Sequence, residues 1–280
     1  MITDTSVIVF GLGQITSLLT RSLVASGKKV ICVTDNKYNQ IKNLPGTNLT
    51  IFSYKQVLNE IIDANVAIFS WNDVNKLVQE NNLILDWIES NKFSAKKSFF
   101  LSSASVYKDQ FVPHTESSNT FHDNKKTILE NILKNIALKK NVTHTNLRIS
   151  NVYGIDIDYG FIGSLFNSIK NGSEVHIFKD QNLIRDYIHI DDVLFAVENL
   201  LEIDYARDCL NVSTGIGTTI AQVLDIFSQN GYKFENRAIL SNALSVKPVS
   251  ILDCHNLSEL INWKPSNLTQ VLNKMLAITK

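Results

Sequence analysis

Six short apolar runs punctuate the first half of the chain: VIVF (7–10), KKVICVT (28–34), LTIF (49–52), VAIFS (66–70), SFFLSS (98–103) and TNLRIS (145–150). They are rich in β-branched and aromatic residues and do not alternate strictly with polar ones. Runs of that kind suit strands buried on both faces of a parallel sheet. Between them the period changes to that of a helix. ITSLLTRSLVAS (15–26) places apolar residues on one face and stops at Gly27, and VNKLVQENNLILDWIESN (74–91) and KTILENILKNIALKKN (126–141) repeat the pattern. Strands and helices in alternation predict right-handed crossovers and an α/β fold with a Rossmann-type, doubly wound parallel sheet.

Beyond about residue 155 the alternation loosens. FIGSLFNSIKNG (161–172) predicts a helix stopped by Gly172, EVHIF (174–178) a strand, and DDVLFAVENLLE (191–202) and TIAQVLDIFSQNG (219–231) two more helices. No internal repeat, low-complexity tract or linker interrupts the chain. The expected organisation is a Rossmann domain over 1–154 and a smaller substrate-binding region over 155–280, interleaved so that about 187–212 returns to the first.

Composition narrows the class. The 27 basic and 27 acidic side chains balance, which gives no support to a nucleic-acid or anionic-membrane partner. The three cysteines, Cys32, Cys209 and Cys254, are far apart and form no CxxC, so neither a disulfide framework nor a structural metal is expected. The opening MITDTSVIVF lacks the basic start and long apolar run of a signal peptide, and no stretch is long enough to span a bilayer. A soluble, cytoplasmic protein is expected, and the abundance of Asn, Ile and Lys suits an AT-rich bacterial genome.

Candidate chemistry begins where the first apolar run meets GLGQIT (11–16). Gly11 and Gly13 let the backbone turn tightly and approach a pyrophosphate. The helix that follows, starting near Gln14 and Ile15, offers N–H groups and a positive dipole to an anion. The third position of a GxGxxG pattern is Thr16, where glycine ordinarily permits close packing of helix on sheet. The second strand ends VTDNK, placing Asp35 and Asn36 about 20 residues past the glycines. A carboxylate there accepts from a ribose 2′-OH and repels a 2′-phosphate, which points to NAD as cofactor and away from NADP. A plain strand–helix turn with a surface carboxylate is the bland alternative.

Further along, LSSASVYKD (101–109), LRISNVYG (147–154), RDYIHIDDV (185–193), NVSTGIGTTIAQVLDIF (211–227) and INWKP (261–265) occur in that order. They resemble the extended short-chain dehydrogenase/reductase family, and within it the NAD-dependent nucleotide-sugar epimerases and dehydratases. The resemblance covers nearly the whole chain, which is shorter than typical members and so implies a trimmed substrate region. It implies a nucleotide-activated sugar as partner. It also implies roles for particular residues: Ser103 holding the sugar hydroxyl, Ser105 and Tyr107 lining the sugar pocket, and Asn151 and Arg185 contacting the diphosphate, for which a guanidinium fork is well shaped. The bland readings are a strand-end serine, a loop asparagine and an arginine paired with Asp186 or Asp191. Arg148 and His189 read as structural. Helices 74–91 and 126–141 resemble the pair that forms the family's homodimer, although their apolar faces would equally cover the sheet within one chain.

The family's catalytic core is YxxxK, with both side chains on one face of the helix after the fifth strand. There the lysine binds the nicotinamide ribose and the tyrosine exchanges a proton with the sugar. Aligning the helix on its apolar face and Glu130 puts Lys126 at the lysine position and His122 at the tyrosine position. From Lys108 to Val152 there is no tyrosine at all. Three readings stay open: His122 replaces the tyrosine as acid/base beside Ser103 and Lys126, since imidazole exchanges protons near neutrality; the chain binds NAD and a nucleotide sugar without fast chemistry; or Lys126 is helix surface beside Lys125 and His122 is an ordinary exposed histidine. A chain that has also lost NAD, with Thr16 as the first sign, is a further alternative.

Overall fold

The computed structural model describes residues 6–35, 48–71, 82–108, 112–178, 180–234, 238–241 and 247–279. They divide into two compact units that interleave in sequence. The first takes the described residues of Met1–Val106, Thr120–Arg148 and Glu198–Leu210; the second takes those of Tyr107–Asn119, Ile149–Val197 and Asn211–Lys280.

The apolar runs of the first half all form strands: β1 (Ser6–Phe10), β2 (Lys29–Val33), β3 (Leu49–Phe52), β4 (Ile62–Phe69), β5 (Phe93–Ser103) and β6 (Thr143–Ile149). The helices of this unit are α1 (Gln14–Ala25), α2 (Tyr54–Val57), α3 (Asn82–Glu89) and α4 (Lys125–Lys139). Of the helix expected over 74–91, residues 74–81 lie outside the described residues. After β7 (Asn151–Tyr153), α5 (Gly160–Asn171), β8 (Val175–Phe178), β9 (Ile184–His189) and α6 (Ile190–Glu202), β10 (Cys209–Val212) completes a seven-stranded sheet in the order β10-β6-β5-β4-β1-β2-β3. β1 pairs in parallel with β2 and β4, setting Val9 against Cys32 on one side and Ile68 on the other. Reversal of strand order at β1 puts the β1–α1 turn at the topological switch point, where doubly wound sheets bind ligands.

Burial explains why these runs are apolar on both faces: Val7, Ile8, Val9 and Phe10 are all fully inaccessible. One face carries an aromatic cluster, with Phe10 stacked on Phe69 at 4.8 Å and edge-on to Phe93 at 5.8 Å. Leu129, Leu133 and Ile136 of α4 and Ile84, Trp87 and Ile88 of α3 pack into the same core.

The second unit is smaller in its sheets. β9 pairs with β7, with β11 (Gly217–Thr219) and with β13 (Val249–Ser250), while β8 pairs with β12 (Ala238–Ser241). Helices α7 (Ile220–Gln229), α8 (His255–Leu260) and α9 (Leu268–Ile278) follow. α5 ends at Gly172 with φ of 69°, the left-handed stop foreseen from sequence. Its core joins Leu165 of α5 to Tyr187, Val223, Phe227 and Leu272. No helix among the described residues is long and apolar enough to cross a membrane.

Candidate active site

The glycine loop is held tightly on its inner side. Gly11 has φ of +83°, and a Cβ there would lie 2.3 Å from the Ser70 carbonyl oxygen. Only glycine meets both conditions without strain. On the outer side the backbone is open, for a Cβ on Gly13 would meet nothing within 4 Å. Gly13 is the N-cap of α1, whose first turn, containing Gln14 and Ile15, carries no acidic residue.

Trp71, at the end of β4, links the candidate cofactor residues of the first unit. Its ring edge lies 3.2 Å from the Cβ position of Gly11. The indole N–H donates to Tyr54 Oη at 2.8 Å, and the Tyr54 amide donates to Asp35 Oδ1 at 3.1 Å. Burial pushes the Tyr54 phenol up to about 12, so it stays protonated. On the other side, Lys126 Nζ donates to the Trp71 carbonyl at 2.8 Å and to the Leu101 carbonyl at 3.0 Å, and sits 4.9 Å above the Phe100 ring. Burial pulls the Lys126 amine down to about 8, with Glu130 acting in the opposite direction. Gly11, Asp35 (through Tyr54) and Lys126 are thus gathered around Trp71, the first two on the side of its ring and the last at its carbonyl. Asn36 lies outside the described residues.

Below Lys126, Glu130 is buried and accepts from Ser102 Oγ at 2.5 Å, from Arg148 Nε at 3.1 Å and from Arg148 Nη2 at 2.8 Å. This ion pair fastens α4 to β5 and β6 one turn from the lysine. Arg148 is structural, as its sequence position implied.

Ser103 closes β5, and its Oγ accepts from the Ser105 amide at 3.2 Å. Asn124 Nδ2 donates to the Ser105 carbonyl at 3.0 Å while Asn124 Oδ1 caps α4 by accepting from the Lys126 amide at 2.8 Å. Ser103, Ser105 and Lys126 therefore share a short bonded path. His122 does not share the helical face expected for it. α4 begins at Lys125 with Asn124 as N-cap, so His122 lies in the preceding turn, with an exposed side chain. The cap explains the difference: an Asx side chain that satisfies a first-turn N–H ends the helix there.

The remaining candidates belong to the second unit. Tyr107 is fully buried; its hydroxyl donates to Asn211 Oδ1 at 2.6 Å and its ring stacks on His114 at 5.0 Å. That corrects its expected place in a pocket lining: the side chain is committed to the interior. Asn151 Nδ2 donates to the Asp186 carbonyl at 3.0 Å. Arg185 donates to the carbonyls of Ile184 at 2.7 Å and Lys247 at 2.8 Å. Asp186, its chain neighbour, instead accepts from the Thr214 amide, the Thr214 hydroxyl and the Gly215 amide. Asp186 is fully inaccessible, and burial raises its carboxyl against those hydrogen bonds. Among the described residues no group of three His, Cys, Asp or Glu could hold a metal.

Trp71, Glu130 and Asp186 are the residues sequence reasoning did not weigh as parts of the site. Glu130 left a signal, four residues past Lys126 on an otherwise apolar helix face; Trp71 left none.

A parallel, doubly wound sheet with a glycine turn at its switch point and an acid at the end of the next strand defines a dinucleotide-binding α/β protein. The comparisons fix the family. Residues 7–211 match the NAD dependent epimerase/dehydratase family, and the chain belongs to it. It is 27% identical over 183 residues to the dTDP-4-dehydro-6-deoxyglucose reductase of Escherichia coli, spanning 60% of this chain and 56% of that enzyme. It therefore aligns with little more than half the length of that relative. The fold matches UDP-glucose 4-epimerase of Thermotoga maritima, solved with UDP-glucose, with TM-score 0.77, 22% identity and 98% of both chains covered. It also matches UDP-N-acetylglucosamine 4-epimerase of Methanobrevibacter ruminantium, solved with UDP-N-acetylmuramic acid, with TM-score 0.79, 24% identity and coverage of 98% and 97%.

NAD is the cofactor of this family, and the residues present fit it. The outer side of Gly13 is open to a ligand, the first turn of α1 offers no competing carboxylate, and an acid follows β2.

Proposed function

We propose that this chain binds NAD in its first unit and acts on a nucleotide-activated sugar as an epimerase, reductase or dehydratase, using Ser103, His122 and Lys126 in place of the family's Ser, Tyr and Lys. The observation that carries the reading is the convergence of the glycine loop, Asp35 and Lys126 on Trp71. Gly11, Gly13, Gln14 and Ile15 would hold the diphosphate, and Asp35 with Asn36 the adenosine ribose. When bound, NAD supplies the hydride acceptor and donor. Lys126 contributes a positive charge that two carbonyls hold in place. Ser103 would orient the sugar hydroxyl, and His122 would exchange its proton. Asn151 and Arg185 would contact the sugar's diphosphate, Arg185 after exchanging backbone carbonyls for phosphate oxygens. The relatives support the substrate class, since their names are those of enzymes acting on nucleotide sugars.

One observation favours a second reading. His122 is exposed in a turn outside α4. On that reading the protein binds NAD or a nucleotide sugar without turning it over. A panel of UDP-, dTDP- and ADP-sugars with NAD separates the two. The first requires NAD reduction or product formation that disappears in Lys126→Ala and His122→Ala. Binding of NAD, read as thermal stabilisation, without turnover on any sugar establishes the second.

A further inference from the structure

Thr16 occupies the position where the dinucleotide pattern ordinarily has its third glycine, and its side chain is fully inaccessible. The hydroxyl does two things at once. It accepts the Gly13 N–H at 2.8 Å and donates to the Gly11 carbonyl at 3.0 Å. A threonine hydroxyl has one proton and two lone pairs, so one group closes the turn across both glycines. We propose that Thr16 is the positioning residue of the phosphate loop: its hydroxyl is an internal strut that keeps Gly11–Gly13 in the shape an NAD diphosphate requires. This inference rests on the reading that the loop binds NAD.

Gly13 has no side chain with which to cap α1, and Gly11 is fixed on its inner side by Ser70. The outer half of the turn is tied down by Thr16. The strut takes up the Gly13 N–H, and the first turn of α1 still offers N–H groups to an anion. A glycine at position 16 would restore the usual pattern and lose the strut. The inference therefore makes an unexpected demand: the variant closer to the family pattern binds NAD more weakly.

The test uses Thr16→Ser, which keeps the hydroxyl, Thr16→Val, which keeps the shape, and Thr16→Gly. Hydrogen exchange on the ligand-free protein reads the Gly13 amide against other α1 amides, and calorimetry reads the NAD dissociation constant. The Gly13 amide is expected to be protected in wild type and Thr16→Ser and to lose protection selectively in Thr16→Val. NAD affinity is expected to fall by about tenfold or more in Thr16→Val and Thr16→Gly, which lose both bonds of the hydroxyl, and to stay within about threefold in Thr16→Ser. Equal protection in Thr16→Val overturns the strut whatever NAD does. Lost protection with unchanged affinity overturns its role in binding. If the exchange pattern holds and wild type gives no heat with NAD, the strut stands and the NAD reading fails.

Discussion

Thr16 and His122, the two residues of the first unit that the family resemblance makes notable, differ in how the fold holds them. At residue 16 a threonine replaces a glycine, is buried, and bonds to both glycines of the loop. At residue 122 a histidine, proposed above for the tyrosine position, is exposed in a turn. The first substitution is absorbed because the new side chain makes bonds the turn can use. His122 presents its side chain to solvent, and the bonds around it do not involve it: Asn124 caps α4, Lys126 holds two carbonyls, and Glu130 holds Arg148. The buried residue is fixed by its bonds and the exposed one is not, and the fold alone does not report on chemistry.

The comparison breaks most sharply at Gly11. Gly11→Ala demands φ of +83° from a residue with a Cβ and places that Cβ 2.3 Å from the Ser70 carbonyl. Left-handed strain and overpacking together should cost about 2–5 kcal/mol, read as a drop in the denaturant midpoint, with NAD-induced stabilisation lost. Wild-type stability and NAD response in Gly11→Ala would show that the inner side of the loop is not the rigid part.

On the other loop the strongest handle is Lys126, whose amine burial holds near 8 against an ordinary value of 10.5. The native state releases this proton more readily than the unfolded chain, so the unfolded state binds more protons between those values and stability rises with pH there. Wild type should gain about 2–3 kcal/mol relative to Lys126→Met between roughly pH 7 and pH 10. Parallel stability–pH curves for the two proteins would show that the amine titrates as an ordinary surface lysine.

How much was legible in the sequence follows from the range of the interactions. The sheet could be read because its strands are apolar on both faces, and Gly27 and Gly172 marked helix ends because left-handed backbone is a local requirement. Gly11 and Gly13 were readable for the same reason. Tyr107 was misplaced because its partners, Asn211 and His114, follow it in the chain and come together only in the folded second unit. Trp71 was overlooked because an indole at a strand end looks like core; its role comes from a carbonyl and a ring N–H meeting residues 126 and 54. Thr16 stood in plain view but was read as a missing glycine and not as a hydroxyl. The bounds of the units are not those expected: 107–119 and 149–197 lie in the second unit, and the segment that returns to the first is 198–210 where about 187–212 was expected.

The smallest expected effect on stability decides the most about function. His122 is exposed and outside the helix, so His122→Ala should change stability by less than about 0.5 kcal/mol and leave NAD affinity unaltered. Any loss of turnover is then chemical, because neither the fold nor the loop has been disturbed. A fall in kcat of about 100-fold, within the range for removing a general acid/base, with KM unchanged would assign the proton transfer to the imidazole, and His122→Tyr would then test whether the family's own residue works from this turn. Unchanged kcat in His122→Ala would leave Ser103 and Lys126 as the only candidates in that segment and make His122 a surface residue.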